Sequence, residues 1–330
     1  MTRCAFLPSR GDPITLKLVL YFFDKVWGDE VDKLYININS QIDESIVNYI
    51  RKFATSNPKV IVSHSSNSLQ HGGSITKMFH ESTEDNIVLI EDDSFVYGKG
   101  MIDKYFRMIE TGKVDAAGSL RNCCSPGIAK KGEFTFNLLG REYEGGNIWF
   151  WPCFFFVKRK DLLKTDLDFC SKGWEPGEYI APIDFIPEVI ERSDTMVWMS
   201  MQLRALGLKF AEFPNPGDVG NPNYQWTHTN SLSSFIESMI TDDDDHPLAF
   251  RTVARPPVII ETTLIGEKSE YERKLARMTM ALRKFWNEFE EIKEFRDLYK
   301  KGMEKYAARF DFDWVRIEKL IVEYSKAIGI

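Results

Sequence analysis

The chain has 330 residues, of which 43% are hydrophobic and 28% charged, and its formal charge is −7. That length allows one large domain or two smaller ones, each with a sizeable core. The acidic balance excludes a general electrostatic grip on nucleic acid or on an anionic membrane, though not a local basic patch.

In chain order, Cys4-Ala5-Phe6-Leu7 reads as a short strand that breaks at the polar loop Pro8-Ser9-Arg10-Gly11-Asp12-Pro13. Residues 14–27 then carry apolar side chains at helical spacing. Residues 33–39 alternate like a strand, 43–54 read as a helix opened by Asp43, and 59–63 are a third strand. A helix over 74–80 follows the glycine-bearing segment His71-Gly72-Gly73-Ser74, and 86–90 form a fourth strand. Strands separated by helices predict βαβ units and a mostly parallel sheet.

The fourth strand ends in the most informative residues of the chain, Glu91-Asp92-Asp93. Carboxylates just past a strand of a parallel sheet stand where open α/β sheets bind ligands. Three of them together are electrostatically costly unless a cation neutralises them, and a hard divalent ion with oxygen ligands, Mn2+ or Mg2+, fits best. The plain alternative is a solvated acidic loop.

Beyond the triplet the pattern loosens. Residues 101–111 are helical, 116–120 form a strand, and 133–139 with 146–158 read as longer, aromatic-rich strands. An amphipathic helix over 194–206 is closed by Gly207 and followed by a strand over 208–213. Residues 214–224 have the composition of a mobile loop, and the acidic run 242–245 that of a solvated tip. From about 269, Leu275, Met278, Leu282, Phe285, Phe289 and Ile292 recur at spacings of three and four, and a final helix spans 314–327. This tail is expected to pack on its own domain or to join two copies in a homo-oligomer.

The five cysteines, an odd number with Cys123 and Cys124 adjacent, argue against a disulfide framework and for a reduced, cytoplasmic setting. The beginning lacks the apolar segment of a signal peptide. The longest aromatic-apolar run, 149–157, is too short to span a bilayer and holds Pro152, so no membrane span is expected.

The βαβ half, the loop after the first strand, the segment His71-Gly72-Gly73-Ser74-Ile75-Thr76-Lys77, the acidic triplet and the late Trp226-Thr227-His228 together resemble the GT-A glycosyltransferases, over roughly residues 4–230. The resemblance implies an α/β fold with a mixed, mostly parallel sheet flanked by helices, and here a C-terminal helical extension. It implies a catalytic domain over 1–230, with a nucleotide-sugar half at 1–98 and an acceptor half at 99–230, then a linker over 231–268 and a helical tail over 269–330. The implied activity is metal-dependent transfer of a sugar from a nucleotide-diphosphate sugar, UDP favoured, with inversion. The acceptor is a polysaccharide or glycolipid precursor, or else a modified nucleobase in DNA. A nucleotidyltransferase and a non-catalytic nucleotide-sugar-binding module are the rival classes.

Carried over by position, Asp93 and Glu91 match the metal signature. Here the first acid is Glu, whose longer side chain reaches either the metal or the nucleotide ribose. His228 is the downstream metal ligand of the resemblance, or else a loop residue. Pro8, Ser9 and Arg10 match the loop around base and ribose, with Asn37 and Asn39 near the same base. Gly72 and Gly73 permit close backbone approach, Ser74 and Lys77 face the diphosphate, and Asp92 belongs to the same nucleotide site. Asp194, with Glu191 second, stands where inverting members carry the general base, although Ser193-Asp194 also reads as a helix N-cap. Trp149 and Trp151, at alternate positions of a strand, offer one aromatic face to an acceptor or else belong to the core.

Overall fold

The computed structural model describes residues 1–9, 13–39, 44–65, 69–92, 94–96, 98–121, 124–131, 134–138, 141–145, 149–212, 226–228, 276 and 313–327. It divides into two units, Met1–Gly11 with Leu20–Pro214, and Asp12–Val19 with Asn215–Ile330.

The first unit is built on seven strands. They are β1 (Arg3–Ser9), β2 (Lys33–Ile38), β3 (Val60–His64), β4 (Asn86–Ile90), β6 (Ala116–Arg121), β9 (Trp149–Lys158) and β12 (Phe210–Glu212), in the spatial order β12-β6-β9-β4-β1-β2-β3. Only β9 runs against its neighbours β4 and β6; the other pairs are parallel. The sheet is therefore mixed and mostly parallel, as the βαβ reading predicts. Short strands stand apart from it: β5 (Ser94–Val96), the hairpin β7 (Phe134–Leu138) with β8 (Arg141–Gly145), and β10 (Lys172–Trp174) paired with β11 (Glu191–Ser193).

Central strands buried on both faces read as continuous apolar runs rather than alternating ones. All five residues of β4 are buried, and its partner β9 contributes Phe154, Phe155, Phe156 and Val157 at 0% exposure. Burying each such side chain is worth about 1.5–3 kcal/mol before conformational entropy is subtracted. Against the sheet pack α3 (His71–Glu81), through Ile75, Met78 and Phe79, and α4 (Met101–Glu110), whose Tyr105 and Phe106 rings meet Phe156. The first turn of α4 lacks a local cap, Gly100 being left-handed at φ 82°. Its cap comes from Glu30, which accepts the Gly100 N–H at 2.6 Å and the Asp103 N–H at 2.7 Å.

The remaining helices are α1 (Pro13–Phe22), which runs into a π-helical turn Phe23–Trp27, α2 (Glu44–Ser56), α5 (Pro126–Lys131), α6 (Arg159–Leu162) and α7 (Val197–Ala205). In the second unit, β13 (Trp226–His228) and α8 (Trp314–Ala327) are described. Asp313 opens α8 by accepting the Arg316 N–H at 3.1 Å, and Ile317 and Ile321, one turn apart, are buried. The expected loop over 214–224, the acidic run 242–245 and the apolar stripe from Leu275 to Ile292 lie outside the described residues. No helix among the described residues is long and apolar enough to cross a membrane.

Candidate functional site

The chain places β2 and β3 on one side of β1 and then crosses to put β4 on the other. Between β1 and β4 the strand order reverses, and the crevice outside the carboxyl ends of such strands is where open α/β sheets bind ligands. Both strands deliver polar residues there. Ser9, the last residue of β1, donates its hydroxyl to Asp92 Oδ2 at 2.6 Å, linking the two ends across the reversal.

Neighbouring elements extend this edge. Pro8 is in register with Asn37 of β2, and the Asn39 N–H bonds the Ser9 carbonyl at 2.8 Å. Asn39 clasps the backbone of Leu69 from both sides, its Oδ1 accepting the Leu69 N–H at 2.6 Å and its Nδ2 bonding the Leu69 carbonyl. That clasp fixes the approach to α3. Asn37, fully buried, donates to Ser63 Oγ at 2.9 Å and Ser65 Oγ at 3.2 Å, while its own Oδ1 has no partner. Lys77 reaches the same Ser65 hydroxyl at 3.3 Å and pairs loosely with Glu81 at 3.9 Å. Glu91 faces His71, at the start of α3, with Oε1 3.7 Å from Nδ1. The structure therefore gathers Pro8, Ser9, Asn37, Asn39, Gly73, Ser74, Lys77, Glu91 and Asp92 around one end of the sheet. Ser74 is fully buried and its hydroxyl has no partner.

Gly72 requires a correction. A Cβ there would lie 2.3 Å from the Phe169 carbonyl carbon and 2.4 Å from Cys170 N, so the missing side chain makes room for this protein's own backbone and not for a ligand. At Gly73 the nearest atom would be Leu69 Cβ at 3.4 Å, an ordinary contact.

A second group gathers around α5 and α7. Glu191, 3% exposed, turns inward: its Oε2 accepts the Ile128 N–H at 3.4 Å, and Oε1 fills the space a side chain at Gly127 would need. Asp194, immediately after β11, is exposed, and its Oδ1 accepts the Thr195 N–H at 2.7 Å. Trp149 also requires correction as an acceptor face. It is 1% exposed, packs with Ile128, Trp174 and Val197, and donates its indole N–H to Cys124 Sγ at 2.9 Å. Trp151 is half-buried. Between Gly118 and Leu120 the β6–β9 register jumps from Phe155 to Phe150, so simple alternation along β9 fails there. Burial pushes the Cys124 thiol up to about 11, the Trp149 N–H pulling against it and the Glu191 charge adding to it. Cys124 is therefore no thiolate nucleophile at neutral pH.

Sequence reading passed over the excursion between β10 and β11. Ile180 and Phe185 pair there and turn toward the core, so Tyr179 and Ile186, one step out in register, stand opposite each other at 59% and 57% exposure.

Arg10 and Asp93 lie outside the described residues, and of His228 the strand but not the side chain is described. Among the described residues no three His, Cys, Asp or Glu side chains converge as a metal site. The two described acids of the triplet are hard oxygen donors at the edge of the crevice and fit a divalent ion chemically.

Fold and site together define an α/β chain with acidic side chains at the switch point of a mostly parallel sheet. No family model and no curated protein matches it. Among solved structures, the chain is similar to the mannosyltransferase PcManGT from Pyrobaculum calidifontis in complex with GDP-Man and Mn2+, at 10% identity and TM-score 0.45 over 99% of this chain and 86% of that one. It is similar to S. aureus TarS 1-349 at 11% identity and TM-score 0.41, over 100% of this chain and 90% of that one. Half of it, 50%, is similar to 80% of HddC from Yersinia pseudotuberculosis complexed with GMP-PN, at 14% identity and TM-score 0.32.

Proposed function

We propose that this chain is a metal-dependent glycosyltransferase of the GT-A type, moving a sugar from a nucleotide-diphosphate sugar, UDP favoured, to an acceptor hydroxyl with inversion. The observation that carries the reading is the 2.6 Å bond from Ser9 to Asp92, which ties the loop after β1 to the acidic triplet after β4 at the switch point. A polysaccharide or glycolipid precursor is the proposed acceptor. The acidic charge of the chain opposes DNA.

In this reading Asn39 and Pro8 form the wall toward the base and Gly73 and Lys77 face the phosphates, while Asn37 and Ser74, both fully buried, act from behind that surface. Asp93 and Glu91 would hold the ion, which when bound neutralises the departing diphosphate. Asp194 takes the proton of the acceptor hydroxyl on its carboxylate. Its exposure leaves it open to an incoming acceptor, whereas the carboxylate of Glu191 is occupied with the backbone of α5.

The test is release of nucleoside diphosphate from UDP- and GDP-sugars with and without Mn2+. Metal-dependent release that disappears in Asp93→Ala, with the fold retained, supports the assignment. Pyrophosphate release from a nucleoside triphosphate and a sugar phosphate would move the chain to the nucleotidyltransferases. Donor binding without turnover of any donor would make it a binding module.

A further inference from the structure

The segment from Asp166 to Lys172 lies between the two groups of site residues and is tied to both. On one side, the Phe169–Cys170 peptide fills the space beside Gly72 in the first turn of α3, and Thr76 of α3 donates its hydroxyl to the Leu167 carbonyl at 3.2 Å. On the other side, the Phe169 carbonyl accepts the Met196 N–H at 3.0 Å, two residues after Asp194. Asp166 also accepts the Trp198 indole N–H and the Gln202 amide of α7, both at 2.7 Å.

The backbone is held hard where these ties converge. Leu167 at φ 59° and Met196 at φ 74° both occupy the left-handed region that side chains disfavour, and such conformations persist only where the surroundings over-determine them. Both ends of the tie lie among well-packed residues: Phe169 and Met196 belong to the same core cluster as Ile75 and Met78 of α3. A packed core shifts between discrete arrangements rather than yielding smoothly, so a displacement at Gly72 is passed on and not absorbed.

We propose that the Phe169–Cys170 peptide is a positioning element that registers the Asp194–Met196 turn against the first turn of α3, fixing the candidate base relative to the donor-binding helix. The proposal rests on the reading of Asp194 as the base. Phe169 acts through Met196 and touches no substrate.

The test is Gly72→Ala in the full chain. The new Cβ has only backbone to displace, so the Phe169–Cys170 peptide must move. Hydrogen exchange at the Met196 amide should quicken by about tenfold or more as its acceptor shifts. Transfer turnover should fall by about ten- to a hundred-fold, the scale of a small misplacement of a catalytic group. In an Asp194→Asn background the same substitution should change turnover by less than about twofold, because a displaced base that has already been removed has nothing further to lose. Thr76→Val, which removes the hydroxyl shared between the Leu167 carbonyl at 3.2 Å and the Gly72 carbonyl of its own helix at 3.1 Å, should give a smaller effect of the same pattern, and it takes over the test if Gly72→Ala does not fold. Losses that multiply in the double variant, or a Met196 amide as protected as in the wild type, overturn the proposal. If the wild-type chain turns over no nucleotide sugar, the functional reading falls instead, and exchange at Met196 alone still decides whether α3 and the Asp194 turn are mechanically joined.

Discussion

Ser9→Ala probes the bond on which the functional assignment turns. At 2.6 Å the Ser9–Asp92 contact is in the range of charge-assisted O–H···O− bonds, and bonds to charged groups are worth about 1.5–3 kcal/mol. Ser9 is 2% exposed, so water cannot readily replace the lost hydroxyl, while the half-buried Asp92 recovers part of the loss from solvent. We therefore expect about 1–2 kcal/mol of lost stability, a fall of about 1.5–3 °C in Tm. The larger consequence is for the ligand. Without its donor from β1, the Asp92 carboxylate is no longer oriented toward the crevice, and outer partners of this kind typically cost ten- to a hundred-fold in affinity when removed. Titration calorimetry of a nucleoside diphosphate with Mn2+, beside urea unfolding of the same samples, separates the two effects. Lost stability with unchanged affinity would reduce the bond to a structural tie between β1 and β4, and no change in either would remove it from the argument altogether.

Asp194→Asn should lower turnover by about a hundred- to ten-thousand-fold with donor affinity and Tm nearly unchanged, since the Asn side-chain oxygen can still accept the Thr195 N–H but cannot take the proton; steady-state kinetics on the purified variant decides it. Glu191→Gln retains an oxygen to accept the Ile128 N–H, so turnover should stay within about threefold of wild type, and a loss on the scale of Asp194→Asn would return Glu191 to the chemistry. Glu30→Ala strips the only side-chain cap that α4 shows and should cost about 1–2 kcal/mol in urea unfolding at unchanged m, with catalysis untouched. Burial works against the charged form of Asp103, but Arg3 at 2.8 Å and Arg107 at 2.7 Å outweigh it and hold the carboxyl below its ordinary 3.8. Its contribution to stability is therefore present above that value and is lost as pH falls through the lower folded value, so Arg3→Gln should flatten the fall in unfolding free energy below about pH 4.

How much of this was legible in the sequence depended on whether the signal was local. The strands β1, β2, β3 and β4 are short apolar runs flanked by turn residues, and their periodicity located them to within a residue or two. The place of the triplet was legible because an apolar run that stops abruptly in charge marks the end of a strand, here β4 at Ile90. The helix α3 starts at His71, three residues before the predicted 74, because paired glycines read locally as an opening loop; both Gly72 and Gly73 are helical, and Gly72 leaves the space that the Phe169 backbone occupies. The β7–β8 hairpin was read in part, as one strand over 133–139, since its second arm lacks apolar alternation. Trp149 and Trp151 obey the two-residue spacing of a shared face, but the register jump sets β9 residues 151–154 against Ser119 alone, a bulge that the spacing of the two tryptophans does not reveal.

Gly72 marks where local reading stops. A glycine before an acidic strand has two physical explanations, room for a ligand or room for another stretch of chain, and the residues around it in sequence are compatible with both. What separates them is Phe169, 97 positions away in the numbering and adjacent in space. The same contact changes the meaning of the Asp194 turn. Taken alone, Ser193-Asp194 is a helix opening of ordinary composition. Seen with Met196 forced to φ 74° and its N–H held by the Phe169 carbonyl, it is a turn whose placement is set by α3 rather than by its own sequence. A base that must meet a donor bound elsewhere needs that kind of external registration, and the Asp194 carboxylate does not cap α7, which starts at Val197 with no side-chain cap. The strain at Met196 and the steric demand at Gly72 thus have one cause, and a substitution at either end should be felt at the other.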